Sequence, residues 1–173
     1  MSRLSLFFAS ALALGGLSAC QSGMADRIDL PEDGVSIEVL KGYDTSREKG
    51  STVLRSRDKD KGGSTLIVRR VDYDERNDRS KDELVEATKL ALEGYPEAVV
   101  KGPLPEMRGI HDAVRFELSF AKKPKSRKRY ERHHAVVFGS EAAYHVIHTA
   151  PNGQLSAAAK DFEKVLDSLE EEG

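Results

Sequence analysis

Three groups of residues could carry chemistry in this chain. The first is Cys20, the single cysteine among 173 residues. A lone thiol cannot close an internal disulfide, so it needs another role. The second is a set of histidines, His133, His134, His145 and His148, gathered around Gly139. The third is a basic run, Lys122-Lys123-Pro124-Lys125-Ser126-Arg127-Lys128-Arg129, with six cations in eight positions. Nucleophilic catalysis has no visible apparatus: there is no Gly-x-Ser-x-Gly elbow, and no glycine-rich loop opens a helix after a strand. Gly62-Gly63 reads as a hairpin tip.

Cys20 follows Arg3, the apolar stretch Leu4–Gly16, and then Leu17-Ser18-Ala19. The apolar stretch is short of the roughly 20 residues that span a bilayer as a helix, and has the build of an export signal. Small residues running into a cysteine resemble the bacterial lipobox. That resemblance implies a signal peptide over 1–19, cleavage before Cys20, and acylation of the Cys20 thiol and the new amino terminus. Two or three acyl chains give stable anchoring where one does not. Gln21 is not the aspartate that resembles an inner-membrane retention signal, so an outer-membrane site facing the periplasm is expected, with exposure at the cell surface as the alternative. Residues 20–27 form the lipidated cysteine and a tether, with a reach on the order of 20 Å when extended.

The histidines pose a metal question. A hairpin turning at Gly139 could set His133 or His134 opposite His148, within cross-strand reach. Zinc wants three or four converging ligands, and no cysteine is left to help. His145 and His148 are three residues apart, so on a regular strand they face opposite ways. Partly exposed or hydrogen-bonded strand histidines are therefore expected, with no metal or other cofactor; His133, His134 and His148 are the candidates should a metal bind. The basic run reads either as a contact for an anionic surface, formed by Lys122, Lys123, Lys125, Arg127, Lys128 and Arg129, or as a solvated hairpin tip. Each cation near an anionic membrane is worth about 1 kcal/mol.

The elements that position these groups are legible from pattern. The chain has net charge −2, and removing 1–19 takes away only Arg3. Such near-neutrality gives no reason to expect nucleic acid as a partner. Residues 28–170 are enough for one globular domain with a single core. Strands are expected at 27–30, from Val35 to Leu40, at 51–57 and at 65–71. Lys41-Gly42-Tyr43-Asp44 reads as the close of the second of these, and 58–63 as a charged hairpin loop. A helix is expected to start at a capping box of Ser80 and Glu83, to bury Leu84, Ala87, Thr88, Ala91 and Tyr95, and to stop at Gly94. Val99-Val100, before Pro103 and Pro105, reads as an edge or a connection. Val114, Phe116, Leu118 and Phe120 alternate with polar residues, strands follow over 129–138 and 142–150, and Leu155 to Leu169 carries an amphipathic helical stripe. Short connections favour antiparallel pairing, which makes an α+β layered domain, mainly antiparallel sheet flanked by helices.

Several motifs together are similar to the PsbP-like superfamily, whose members include a photosystem II extrinsic subunit, a Ran-binding import factor and bacterial lipoproteins. They are Leu30-Pro31-x-x-Gly34, the strand from Val114 to Phe120, Val136-Val137-Phe138-Gly139, Ala143-Tyr144-His145-Val146, and Phe162-x-x-Val165-Leu166-x-Ser168-Leu169. Leu169 stands where that family usually has phenylalanine, and Tyr43 where a tryptophan often follows the opening. The resemblance implies an α/β/α sandwich and an accessory, non-catalytic role. The expectation is a lipid-anchored envelope protein that presents this domain near the membrane to a protein partner. The alternative is an envelope lipoprotein that binds a small ligand or a metal in a sheet–helix pocket or at the histidine hairpin.

Overall fold

The computed structural model describes residues 26–58, 63–72, 78–140 and 142–171. The signal peptide over 1–19, Cys20, the tether up to residue 25 and most of the 58–63 loop lie outside the described residues. Chain order is β1 (Arg27–Leu30), β2 (Val35–Glu38), β3 (Tyr43–Glu48), β4 (Ser51–Ser56), β5 (Thr65–Asp72), α1 (Asp78–Glu93), β6 (Val99–Arg108), β7 (His111–Ala121), β8 (Arg129–Phe138), β9 (Ala142–Pro151), a 3-10 turn (Leu155–Ala158), α2 (Ala159–Ser168) and β10 (Glu170–Glu171).

Seven strands form one antiparallel sheet in the order β3-β4-β5-β9-β8-β7-β6, and β1-β2-β10 form a small second sheet. Alternation explains the layering. Odd positions of β8, Ala135 and Val137, join Leu66, Val68, Tyr144 and Val146 in a core closed by Phe162, Val165 and Leu166 of α2 and by Val35 and Ile37 of the small sheet. Even positions, Val136 and Phe138, join Phe116, Leu118 and Phe120 in a second core closed by Leu84, Val85, Leu92 and Tyr95 of α1 or just beyond it. The domain is α+β, with helices on both faces of a mainly antiparallel sheet.

Three features differ from the sequence reading. A strand, β3, runs from Tyr43 to Glu48, where only a turn was expected; it is an edge strand whose sole buried residue is Tyr43, so it carries no alternation to read. Its hairpin to β4 turns on Lys49 and Gly50, both at positive φ, the conformation that matches strand twist in a two-residue loop. Helix α1 is already under way at Ser80, which therefore is not its cap. The buried stripe of α1 is also rotated: Thr88 and Leu92 are buried, while Ala87 and Ala91 are exposed. Alanine is apolar enough to satisfy a periodicity count, but the larger Leu92 decides which face packs.

Candidate functional site

The β8–β9 register pairs His133 with His148 and Val136 with His145. The four histidines are thereby split into two couples on opposite faces of the sheet. Of the three candidates for a metal, His133 and His148 come together under α2, while His134 points to the α1 side. Odd spacing along a strand forbids their convergence. Among the described residues no group of three or more His, Cys, Asp or Glu side chains is placed to hold a metal.

On the α2 face His148 is fully buried, stacked on Phe162 at 5.9 Å between centroids, with His133 at 6.4 Å. Neither ring nitrogen of His148 has a hydrogen-bond partner. Burial, then the neighbouring His133, pushes its pKa down to about 4, against a smaller opposing pull from Asp161. His133 is also lowered, by burial first and Arg115 second, with Glu117, Glu163 and Glu131 opposing. These imidazoles are neutral at pH 7.

On the α1 face His134 Nε2 and His145 Nδ1 lie 2.7 Å apart in a hydrogen bond. Burial, then Arg69, lowers His145 to about 4, and burial drives His134 well below the ordinary imidazole value. Their outer nitrogens, His134 Nδ1 and His145 Nε2, are buried without a partner. The two histidines line a cavity of about 310 Å³ between α1 and the sheet, together with Arg69, Arg132, Leu84, Ala87, Ala91 and Ile147. Arg69 lies directly across the β5–β9 ladder from His145. Arg132 is fixed by bonds to Thr149 Oγ1 and the Tyr95 hydroxyl, both 2.9 Å, and stacks over Tyr95 and Phe120. The sequence reading weighed a sheet–helix pocket without naming its walls. Arg69 and Arg132 gave no signal in the sequence, because a cation inside a strand is ordinary until register shows what it faces.

The basic run is the β7–β8 hairpin. Lys122, Lys123, Lys125, Arg127 and Lys128 are exposed and make no ion pair among the described residues. Arg129 differs from them. It is half-buried in β8 and held by Glu97, whose carboxylate also accepts the Lys125 backbone N–H. It shapes the loop, and five cations remain free to meet an anion.

The start of the described chain is bound to the close of α2. Arg27 donates to the Ser168 carbonyl at the close of α2 and pairs with Glu170. Neighbouring Asp167 holds Arg108, the last residue of β6, and Arg108 also pairs with Glu163 and Glu106. Arg27 and Arg108 thus share the close of α2, and Arg108 leads into the β6–β7 turn, where Met107 and Ile110 are 60% and 89% exposed. From that turn the eleven residues of β7 rise toward the basic loop, about 33 Å at the usual strand rise.

No family profile and no curated protein sequence matches the chain. Solved structures do. Cyanobacterial PsbP (CyanoP) from Synechocystis is similar with a TM-score of 0.57 at 13% identity, over 90% of this chain and 98% of that one. The Ran-binding protein Mog1p of Saccharomyces cerevisiae gives 0.57 at 11%, over 85% and 95%. LpqN of Mycobacterium tuberculosis, described as involved in cell envelope biogenesis, gives 0.55 at 12%, over 83% and 89%. A Bacteroides thetaiotaomicron protein matches with a TM-score of 0.58 at 17%, and there the chain spans about half, 48%, of the other's length. The chain has the PsbP-like fold. At these identities the likeness establishes the fold alone. Among the described residues no helix is long and apolar enough to cross a membrane.

Proposed function

We propose that this chain is a lipid-anchored accessory protein of the cell envelope, non-catalytic, held to the membrane through Cys20 and docking an acidic protein partner with its basic loop. The observation that carries the reading is the placement of the two ends. Arg27, near the start of the described chain, is bound to the close of α2, where Asp167 also holds Arg108 beside exposed Met107 and Ile110, while five unpaired cations stand at the far end of β7. A tether reaching on the order of 20 Å from Cys20 keeps the first end at the lipid surface and the loop away from it. Five exposed cations within seven positions, none in an ion pair among the described residues, form a local positive field of the kind that steers an acidic partner. The LpqN likeness and the lipobox-like run before Cys20 are consistent with an envelope address.

The anchor is tested by Cys20→Ser. The account expects the folded domain in the soluble fraction and no incorporation of labelled fatty acid; continued membrane association would sink it. The loop is tested with Lys122, Lys123, Lys125, Arg127 and Lys128 changed to serine and Arg129 kept. The Cys20→Ser protein should bind anionic vesicles no better with the loop cations than without them. A loss of vesicle binding in the five-serine variant would move the loop's role from a protein partner to lipid.

A further inference from the structure

We propose that the cavity between α1 and the sheet is a binding site for a small carboxylate carrying a short branched apolar body. The site is independent of membrane anchoring and of the basic loop. Its floor is His134 and His145, 6% and 3% exposed. The hydrogen bond between His134 Nε2 and His145 Nδ1 uses one proton and one lone pair. Two neutral imidazoles sharing one such bond leave one outer N–H and one outer bare nitrogen, whichever tautomer is present. Both outer nitrogens are buried and unpartnered. A buried polar atom without a partner costs about 1–3 kcal/mol, so an anion that draws either ring edge toward the cavity recovers that cost.

The walls select what enters. Arg69 and Arg132 are the charged residues of the lining, and no carboxylate is among the lining residues. In a chain with 29 acidic against 27 basic residues, that is a positive site in an acidic protein. Arg132 is already fixed by Tyr95 and Thr149, so it supplies field. Arg69 is exposed at the mouth, opposite His145 across the ladder, and is free to close on an anion. A carboxylate accepting from Arg69 and from the outer imidazole N–H satisfies both. Apart from Tyr95 and from Thr88, whose hydroxyl donates to the Leu84 carbonyl, the remaining walls are aliphatic, Val71, Leu84 and Ile147 among them, and they want an apolar body and reject a bare inorganic ion. The volume of about 310 Å³ sits at the small end of ligand pockets.

The test uses the purified full chain in detergent, with the ring resonances of His134 and His145 followed by NMR during titration with isovalerate. Isovaleramide, the neutral isostere, and inorganic phosphate serve as comparison probes. The proposal expects saturable shifts at both histidines with isovalerate and at least tenfold weaker binding of the amide and of phosphate. Arg69→Gln should weaken isovalerate at least tenfold. Ala87→Phe, an exposed rim position where a bulky ring leaves the fold intact, should block it. Equal binding of acid and amide, tighter binding of phosphate, insensitivity to Arg69→Gln, or no saturable shift in the folded wild-type protein would each overturn the proposal.

Discussion

Replacing His148 by leucine should make this domain more resistant to acid, and the size of the effect follows from the site. In the folded protein His148 is sealed beneath Phe162 with both ring nitrogens unpartnered, and its pKa falls from 6.5 to about 4. In the unfolded chain it returns to the ordinary value. Between those two values the unfolded state binds the extra proton, so stability rises with pH there. The contribution is complete above about pH 6.5 and is lost as pH falls toward 4. The full fall is equivalent to about 3 kcal/mol, of which about 2 kcal/mol is lost between pH 7 and pH 5. The groups facing His148 and its partner His133 are Asp161, Arg115, Glu117, Glu131 and Glu163; the carboxylates temper the effect and do not reverse it. His145 carries a similar load on the other face. Against a total stability of about 5–15 kcal/mol for a domain, two such groups remove about 4 kcal/mol by pH 5 and about 6 kcal/mol by pH 4. Leucine is close to imidazole in size, has no polar atom to orphan, and meets Phe162 directly. Urea unfolding at pH 7 and pH 5 reads the difference. Wild type should lose about 2 kcal/mol more on acidification than His148→Leu does, and the variant should be at least as stable at pH 7. Identical losses in the two proteins would refute the reasoning, since they would mean that the His148 proton is bound equally in both states.

Other positions give sharper structural tests. Asp33 is 1% exposed and accepts from Thr52 Oγ1 at 2.7 Å and from the Arg47 guanidinium, which also pairs with Glu32; Asp33→Ala should lower stability by about 1–3 kcal/mol in denaturant titration, because it leaves the buried Thr52 hydroxyl without its acceptor. Gly102 sits at φ +110, and a Cβ there would lie 2.5 Å from the Arg115 carbonyl oxygen; Gly102→Ala should cost about 1–3 kcal/mol and loosen the β6–β7 edge, seen as faster amide exchange across it. Glu171 accepts from the Ser140 N–H, the Ser140 hydroxyl and the Tyr144 hydroxyl; Glu171→Ala should free the last strand and cost about 1–3 kcal/mol in the same titration.

Much of this fold could be read from the sequence where packing and pattern agree. The β8 strand begins and ends where expected; Ala135 to Phe138 is apolar on both faces and Gly139 closes it. The final apolar stripe also packs as read, although the chain divides it into a 3-10 turn and a helix. β3 was invisible because an edge strand with one buried residue has no contrast between faces. The histidines show what a sequence withholds. Spacing alone places His145 and His148 on opposite faces, but the His134–His145 bond depends on the Val136–His145 register, which the turn sets and composition does not reveal. A slip of one residue would have exchanged the two couples. The separation of Arg129 from its five neighbours is likewise a tertiary fact, fixed by Glu97 from outside the hairpin.

The orientation of the anchored domain is the claim on which the functional account rests, and one measurement reaches it directly. With Cys20 acylated, a second cysteine is the only free thiol, so Ile110→Cys and Ser126→Cys can each carry a single fluorophore on the full chain in vesicles. A quencher buried in the acyl region should dim the probe at residue 110 several-fold more than the probe at residue 126, which stands about 33 Å away along β7. Equal quenching at the two sites, or stronger quenching at residue 126, would contradict the account and turn the basic loop toward the membrane.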